Sequence, residues 1–172
     1  MAQRRRSGAK GGVDWFCPGS DVASAIGAVA AGAQFVISDD ALVDANSGQA
    51  FDAGAVVGLR AWLRVYTGAS IGGQPPAFVG MILPVGLGVP TVSTHAQRKA
   101  NERYIWFKGA MKHSAIDGVS AITVFQHDLE LRSARRFNTN DRLVIVGVNR
   151  SGGAYNAGAT AWAEIDAYVR ED

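Results

Sequence analysis

Apolar and polar residues alternate with a period of two along much of the chain after residue 55, which is typical of half-buried β-strands. In Val56–Tyr66 the apolar face consists of Val57, Leu59, Ala61, Leu63 and Val65. The opposite face of that segment carries Arg60, Trp62, Arg64 and Tyr66. In Ala159–Val169 the inward face is apolar, and the outward face carries Thr160, Trp162, Glu164, Asp166 and Tyr168. Both segments predict strands that bury one face and mix aromatic with charged side chains on the other.

Four more segments have the patterns of strands. Arg103–Lys112 and Ile122–Arg135 alternate, and in the first we expect Ile105, Phe107 and Met111 to lie opposite Tyr104, Trp106 and Lys108. Ala77–Leu83 is a short apolar run suited to a buried strand. Leu143–Val148 is continuously apolar, so we expect neighbouring structure to cover both of its faces.

The connections between these segments are rich in turn-forming residues. Gly72-Gly73, Pro75-Pro76 and Asn138–Asp141 indicate turns, and Pro84–Gln97 is expected to be a loop. Residues 20–43 fit either a helix or strands, and Phe35–Ile37 favours strands. The absence of a long amphipathic pattern leaves an all-β class, and the strand count predicts a single jelly-roll β-sandwich of about eight antiparallel strands in two sheets.

Length and composition are those of one soluble domain. The chain has 172 residues, 48% of them apolar, and its single cysteine excludes an internal disulfide framework. No run reaches the roughly 18 apolar residues that a membrane-spanning helix needs, so we expect no membrane insertion.

The charge is unevenly distributed. The net charge is +2, but residues 1–13 hold four bases and no acid, namely Arg4, Arg5, Arg6 and Lys10. We therefore divide the chain into a basic N-terminal arm (1–13) and a folded domain (14–172). From this run alone, phosphate binding or nuclear import and a merely solubilising terminus are equally supported. A second basic stretch, Arg98–Arg142, has nine bases and five acids.

No motif indicates an enzyme. The three histidines have no metal-ligand spacing, no nucleophile motif is present, and no cofactor is expected. Asp128 with Glu130, or Glu164 with Asp166, could serve a glycosidase, but alternation favours exposed polar faces of strands. His127 lies in an apolar row and is expected to be a core histidine.

Exposed aromatic residues interleaved with cations suggest either base stacking or a protein interface, and the interface is favoured. The candidate subunit-interface residues are Trp62, Tyr66, Tyr104, Trp106 and Trp162. The alternative function is a carbohydrate-binding, lectin-like β-sandwich that stacks a sugar on Trp62 or Trp106.

The order of segments resembles a known family. The basic arm is followed by VGLRAWLRVY at residues 57–66, ERYIWFKGA at 102–110, FQHDLELRSARRF at 125–137 and DRLVIVGV at 141–148. This series resembles capsid proteins of small circular, Rep-encoding single-stranded DNA viruses, circovirus-like in the broad sense. The arm is shorter and less arginine-rich than circovirus arms.

The resemblance implies a jelly roll that self-assembles into an icosahedral shell of about 60 copies around a single-stranded DNA genome. It implies that Arg4, Arg5, Arg6 and Lys10 face inward and bind the DNA without sequence specificity. We add Arg132, Arg135 and Arg136 as body residues that contact nucleic acid. Host nuclear import factors would be further partners, and the protein would occur in the virion and in the nucleus or cytoplasm of the host cell.

Overall fold

The computed structural model describes residues 13–16, 24–44, 47–68, 71–117 and 122–171. The basic residues of the arm, Arg4 to Lys10, lie outside the described residues. The strands are β1 (Val13–Phe16), β2 (Ser24–Ala25), β3 (Gln34–Ala41), β4 (Gly54–Tyr66), β5 (Ala77–Leu83), β6 (Ile105–Ala110), β7 (Lys112–Asp117), β8 (Ile122–Leu131), β9 (Arg135–Phe137), β10 (Arg142–Val148) and β11 (Thr160–Glu171). One helix, α1 (His95–Ala100), interrupts the β5–β6 connection.

The strands form two antiparallel sheets whose order is that of a jelly roll. Sheet 1 has the order β1-β11-β4-β8-β7, with β2 also pairing with β11 and β9 with β4. Sheet 2 has the order β3-β10-β5-β6. The chain passes between the sheets from β2 to β3 to β4 to β5, and again from β6 through β7 and β8 to β10 and β11. The two sheets thus contain the four-stranded orders β2-β11-β4-β8 and β3-β10-β5-β6. These orders confirm the predicted all-β jelly-roll sandwich.

The central pair of sheet 1 fits because small and large inward side chains face each other. Across β4 and β11, Leu63 is paired with Ala163, and Ala61 with Ile165. All four side chains are buried, as sequence alternation predicts for β11. The alanines leave room for the larger partners, so the two strands pack closely along their whole length.

In sheet 2, glycine takes the place of the small residue that faces a large side chain across paired strands, and the large side chain is phenylalanine. Phe78 lies opposite Gly109, Phe107 opposite Gly80, and Phe35 opposite Gly147. A Cβ atom on any of these three glycines would overlap the ring of its partner. Glycine therefore gives each ring its place in the core, beside the T-shaped contact of Phe78 with Phe107, whose centroids are 6.3 Å apart.

The central strands of sheet 2, β5 and β10, are buried on both faces, which confirms the expectation for Leu143–Val148. Their outward side chains, among them Met81 and Val144, form a second buried cluster with Val92. The side chain of Gln34 fixes the covering segment 84–104, because its amide donates to the Pro90 carbonyl oxygen at 3.1 Å and accepts from the Val92 N–H at 2.8 Å.

Helix α1 lies within that covering segment and begins inside Pro84–Gln97, which the sequence predicted to be a loop. The Thr94 hydroxyl accepts from the Gln97 N–H, and the Gln97 side chain accepts from the Thr94 N–H. This capping box starts the helix and is visible in the sequence as Thr-x-x-Gln.

Two β-bulges correct the predicted faces. Opposite β11, Val57 is skipped between Val56 and Gly58, so that Val56 rather than Val57 is fully buried. On β6 the register shifts between Phe107 and Ile105, so Trp106 packs with Phe107 against the central core while Ile105 packs against the outer cluster. Each bulge inserts one residue and reverses the alternation beyond it.

We expect Gly80→Ala to lower the free energy of unfolding by about 1–3 kcal/mol, because the added methyl group must displace the buried Phe107 ring. Gly88→Ala is the matched control, since a Cβ there meets open space. Its effect should stay within about 0.5 kcal/mol. Urea denaturation followed by tryptophan fluorescence measures both, and equal effects would contradict the packing described here.

The stability should fall with acidification because of His127. Burial, assisted by the nearby Lys112, lowers the pKa of His127 below its ordinary 6.5, against the opposing influence of Asp128 and the Ala110 backbone. The unfolded chain then binds this proton more readily, so the stabilisation present above pH 6.5 is lost as the pH falls below it. His127→Gln should reduce the loss of unfolding free energy between about pH 7.5 and pH 5.5, which urea denaturation at a series of pH values measures. An unchanged dependence on pH in this variant would contradict the assignment to His127.

Candidate subunit and nucleic-acid interfaces

The outward face of sheet 1 carries three of the five predicted interface residues. Trp62 and Tyr66 of β4 lie beside Trp162 of β11, because Trp62 pairs with Glu164 and Tyr66 with Thr160. Tyr66 is 39% exposed, and both tryptophans are half-buried. We name the outward side chains of β4, β8 and β11 the free face.

Ion pairs organise the free face. Arg64 Nη1 lies 3.0 Å from Asp128 Oδ1, and the Arg64 guanidinium is 6.0 Å from the Trp162 ring centroid. Arg60 Nη2 is 3.9 Å from Glu130 Oε1, and both of these side chains are about half exposed. The exposed Arg60–Glu130 pair adds little to stability.

The free face has more acids than bases. Between Gly58 and Tyr66, and at the paired positions of β8 and β11, its bases are Arg60 and Arg64, and its acids are Asp128, Glu130, Glu164 and Asp166. A surface with excess carboxylates repels phosphate groups. Its aromatic residues are therefore suited to protein contacts rather than to stacking of nucleic-acid bases.

The other two predicted interface residues lie away from the free face. Tyr104 packs against the outer cluster of sheet 2, with the Arg103 guanidinium 4.6 Å from its ring centroid. Trp106 packs edge-on against Phe107 with centroids 5.5 Å apart, and its Nε1–H donates to Ser133 Oγ at 3.3 Å. The five residues thus form two groups at different places in the sandwich.

The three predicted body arginines also separate. Arg132 is exposed and pairs with Glu130 at 3.1 Å. Arg135 and Arg136 belong to β9 and line a cleft of about 240 Å³ together with Arg103. We name this cavity the arginine cleft. Arg135 Nη2 donates a hydrogen bond to the Arg103 carbonyl oxygen, which joins the two sides of the cleft.

A tight turn forms the floor of the arginine cleft. Asn138 and Asp141 line it, and the Asn138 N–H donates to Asp141 Oδ2 at 2.8 Å. Asn140 adopts a positive φ of 66°, as turns of this kind require of one residue. The Asp141 residue is only 6% exposed, so its carboxylate is committed to the turn more than to the surface.

The point where the basic arm joins the domain lies at the same end of the sandwich. Val13 pairs with Arg170, Arg170 with Ala55, and Ala55 with Arg136. These four residues form one row across sheet 1. Three strand spacings of about 4.8 Å place the backbone of Val13 about 14 Å from that of Arg136.

A larger concavity of about 440 Å³ adjoins α1. Its lining includes Trp106 with the basic side chains of Arg98, Lys99 and Lys108, together with Glu102. Arg98 is held in place because its Nη1 donates to the carbonyl oxygens of Val92 and Ser93. The basic stretch predicted from the sequence is thus concentrated around the segment 98–108 and β9.

Other titratable residues serve the scaffold. Arg142 Nη1 donates to Asp39 Oδ1 at 2.7 Å, and its Nη2 donates to the Leu87 carbonyl oxygen, joining β10, β3 and the covering segment. Burial raises the pKa of Asp40, whose carboxylate accepts a hydrogen bond from Ser38. Within the described ranges no three His, Cys, Asp or Glu residues gather as metal ligands. No helix in the described part of the chain has the length and apolar character needed to cross a membrane.

Sequence reasoning missed Arg103 as a site residue. It lies within the basic stretch, and the adjacent Tyr104 was the only local signal. Its approach to Arg135 spans 32 residues and depends on how the covering segment returns to β6.

We expect the free-face tryptophans to contribute less to folding than Trp106. Trp62→Ala or Trp162→Ala should change the free energy of unfolding by about 1 kcal/mol or less. Trp106→Ala removes a ring packed on the core and a hydrogen bond to Ser133, and should cost about 2–3 kcal/mol. Chemical denaturation compares the three variants, and a larger loss for Trp62→Ala than for Trp106→Ala would show that the free face is structural.

Comparisons with known proteins add a distant structural neighbour. No protein-family model matches the chain, and no curated protein matches it. Among solved structures, dimeric latent PorU from Porphyromonas gingivalis is similar over 99% of this chain, with 9% identity and a TM-score of 0.43. This chain spans 14% of the length of that protein.

Proposed function

We propose that this chain is a capsid subunit, a structural protein whose copies assemble into a closed icosahedral shell around single-stranded DNA. The observation that carries the proposal is the complete jelly-roll order of the two sheets. Viral capsid proteins use this architecture, as do lectins and cupins, so surface chemistry must separate these classes.

The free face supports assembly. It combines Trp62, Tyr66 and Trp162 with arginines held by carboxylates, a composition enriched at protein interfaces. No part of the described chain covers sheet 1 as the segment 84–104 covers sheet 2. A second copy of the chain is the partner that a shell would supply.

The distribution of charge supports packaging. The arm carries four positive charges, and about 60 arms would supply roughly 240. A genome of about a thousand nucleotides or more carries one phosphate per nucleotide, so arms alone would neutralise a minority. The body arginines near the arm's attachment, Arg135 and Arg136 first among them, would supply part of the remainder.

Negative-stain electron microscopy of the purified full chain tests the proposal. We expect closed, uniform particles of about a megadalton, given a chain of 18.1 kDa. Trp62→Glu, which adds a charge to an already acidic face, should abolish or strongly reduce particles while the chain stays folded by circular dichroism. A monomer under every condition would overturn the proposal and favour the lectin-like alternative.

Deleting residues 2–10 should leave assembly intact and lower the nucleic acid content of the particles, because it removes all four charges of the arm. The absorbance ratio at 260 and 280 nm measures this content. Replacing Arg4, Arg5 and Arg6 together by lysine is the matched control and should retain it, since non-specific binding depends on charge. Unchanged content after the deletion would remove the arm from the proposed packaging mechanism.

A further inference from the structure

The arginine cleft brings three arginines of two separate segments together. Arg103, Arg135 and Arg136 surround one opening of about 240 Å³. The carboxylate that shares the cleft belongs to Asp141, and it accepts the Asn138 N–H from within the turn. A concave surface lined by several guanidinium groups attracts oxyanions.

Two of these arginines are positioned in advance. Arg103 stacks on Tyr104 at 4.6 Å, and Arg135 donates to the Arg103 carbonyl oxygen. Among the described residues, no carboxylate lies within 4 Å of either guanidinium. A guanidinium has five N–H donors, so each retains donors for a ligand after these contacts. Such donors in a planar fork suit the two oxygens of a phosphate group.

The surroundings favour a polymeric ligand. The arm joins the domain at Val13, in the same row across sheet 1 as Arg170 and Arg136. Twelve residues extend at most about 40 Å, which comfortably exceeds the roughly 14 Å between the attachment point and β9. The arm is therefore long enough to reach a strand of nucleic acid bound at the cleft.

We propose that Arg103 and Arg135 form a built phosphate-binding site for the backbone of single-stranded nucleic acid, which acts together with Arg4, Arg5, Arg6 and Lys10. The choice of nucleic acid rests on the proposed function. This proposal adds Arg103 to the body residues that contact nucleic acid. It includes Arg135 but not Arg132, whose guanidinium is already paired with Glu130.

Fluorescence anisotropy with a labelled oligothymidylate of about 20 nucleotides tests the site. The full chain is titrated from nanomolar to micromolar concentration against the oligonucleotide, and the titration is repeated at several salt concentrations. Losing one phosphate contact should lower the slope of log affinity against log salt by about 0.7, or about fivefold in affinity at 0.1 M relative to 1 M salt. We expect this loss for Arg103→Ala and for Arg135→Ala.

Arg132→Ala is the matched control, because it removes the same charge three positions from Arg135 but outside the cleft. It should leave the slope unchanged. Arg103→Lys keeps the charge without the fork and should lose less affinity than Arg103→Ala. Equal losses for Arg103→Ala and Arg132→Ala, or no binding by the unaltered chain, would overturn the site.

Labelled heparin in the same assay separates phosphate from sulfate ligands. Tighter binding of heparin, with the same dependence on Arg103, would overturn the assignment to nucleic acid. Electron microscopy of each preparation keeps the two proposals apart. Dependence on Arg103 without any particles would refute the shell and leave the site standing, whereas particles without that dependence would do the reverse.

Discussion

The need to cover both faces of sheet 2 determines which surfaces of this molecule remain available. Strand β10 is apolar on both faces, and its neighbour β5 likewise. The core covers one face, and the segment 84–104 covers the other by inserting Val92 over Met81 and Val144. Among the described residues, no comparable segment covers the outward face of sheet 1.

The same constraint creates the arginine cleft. Gln34 and Arg142 hold the covering segment against β3 and β10, so the chain must return to the sheet edge near Tyr104 before entering β6. That return places Arg103 beside Arg135 of β9. Strand β9 pairs with β4. The need to cover the apolar outer face of sheet 2 thus determines where Arg103 lies relative to Arg135. The result is a molecule with an acidic, aromatic face and a basic end, and we propose different partners for the two.

Much of the fold could be predicted because burial imposes a simple period on the sequence. The inward row of β11, from Ala161 to Val169, and the doubly covered Leu143–Val148 followed directly from it. The bulges at Val57 and Trp106 could not be foreseen, since an inserted residue is set by the partner strand rather than by local pattern. The candidate site was harder to predict from the sequence than the fold. Trp62 and Trp162 were identifiable as outward aromatics, but the meeting of Arg103 with Arg135 is a product of tertiary structure.

The claim that the free face is the contact between copies can be tested most directly by hydroxyl-radical footprinting read by mass spectrometry. Assembled and dissociated protein are compared, with exposed His95 on α1 as the internal reference. We expect Trp62, Tyr66 and Trp162 to be oxidised much less in the assembled protein than in the dissociated chain. Equal oxidation of these three residues in both states would contradict the account.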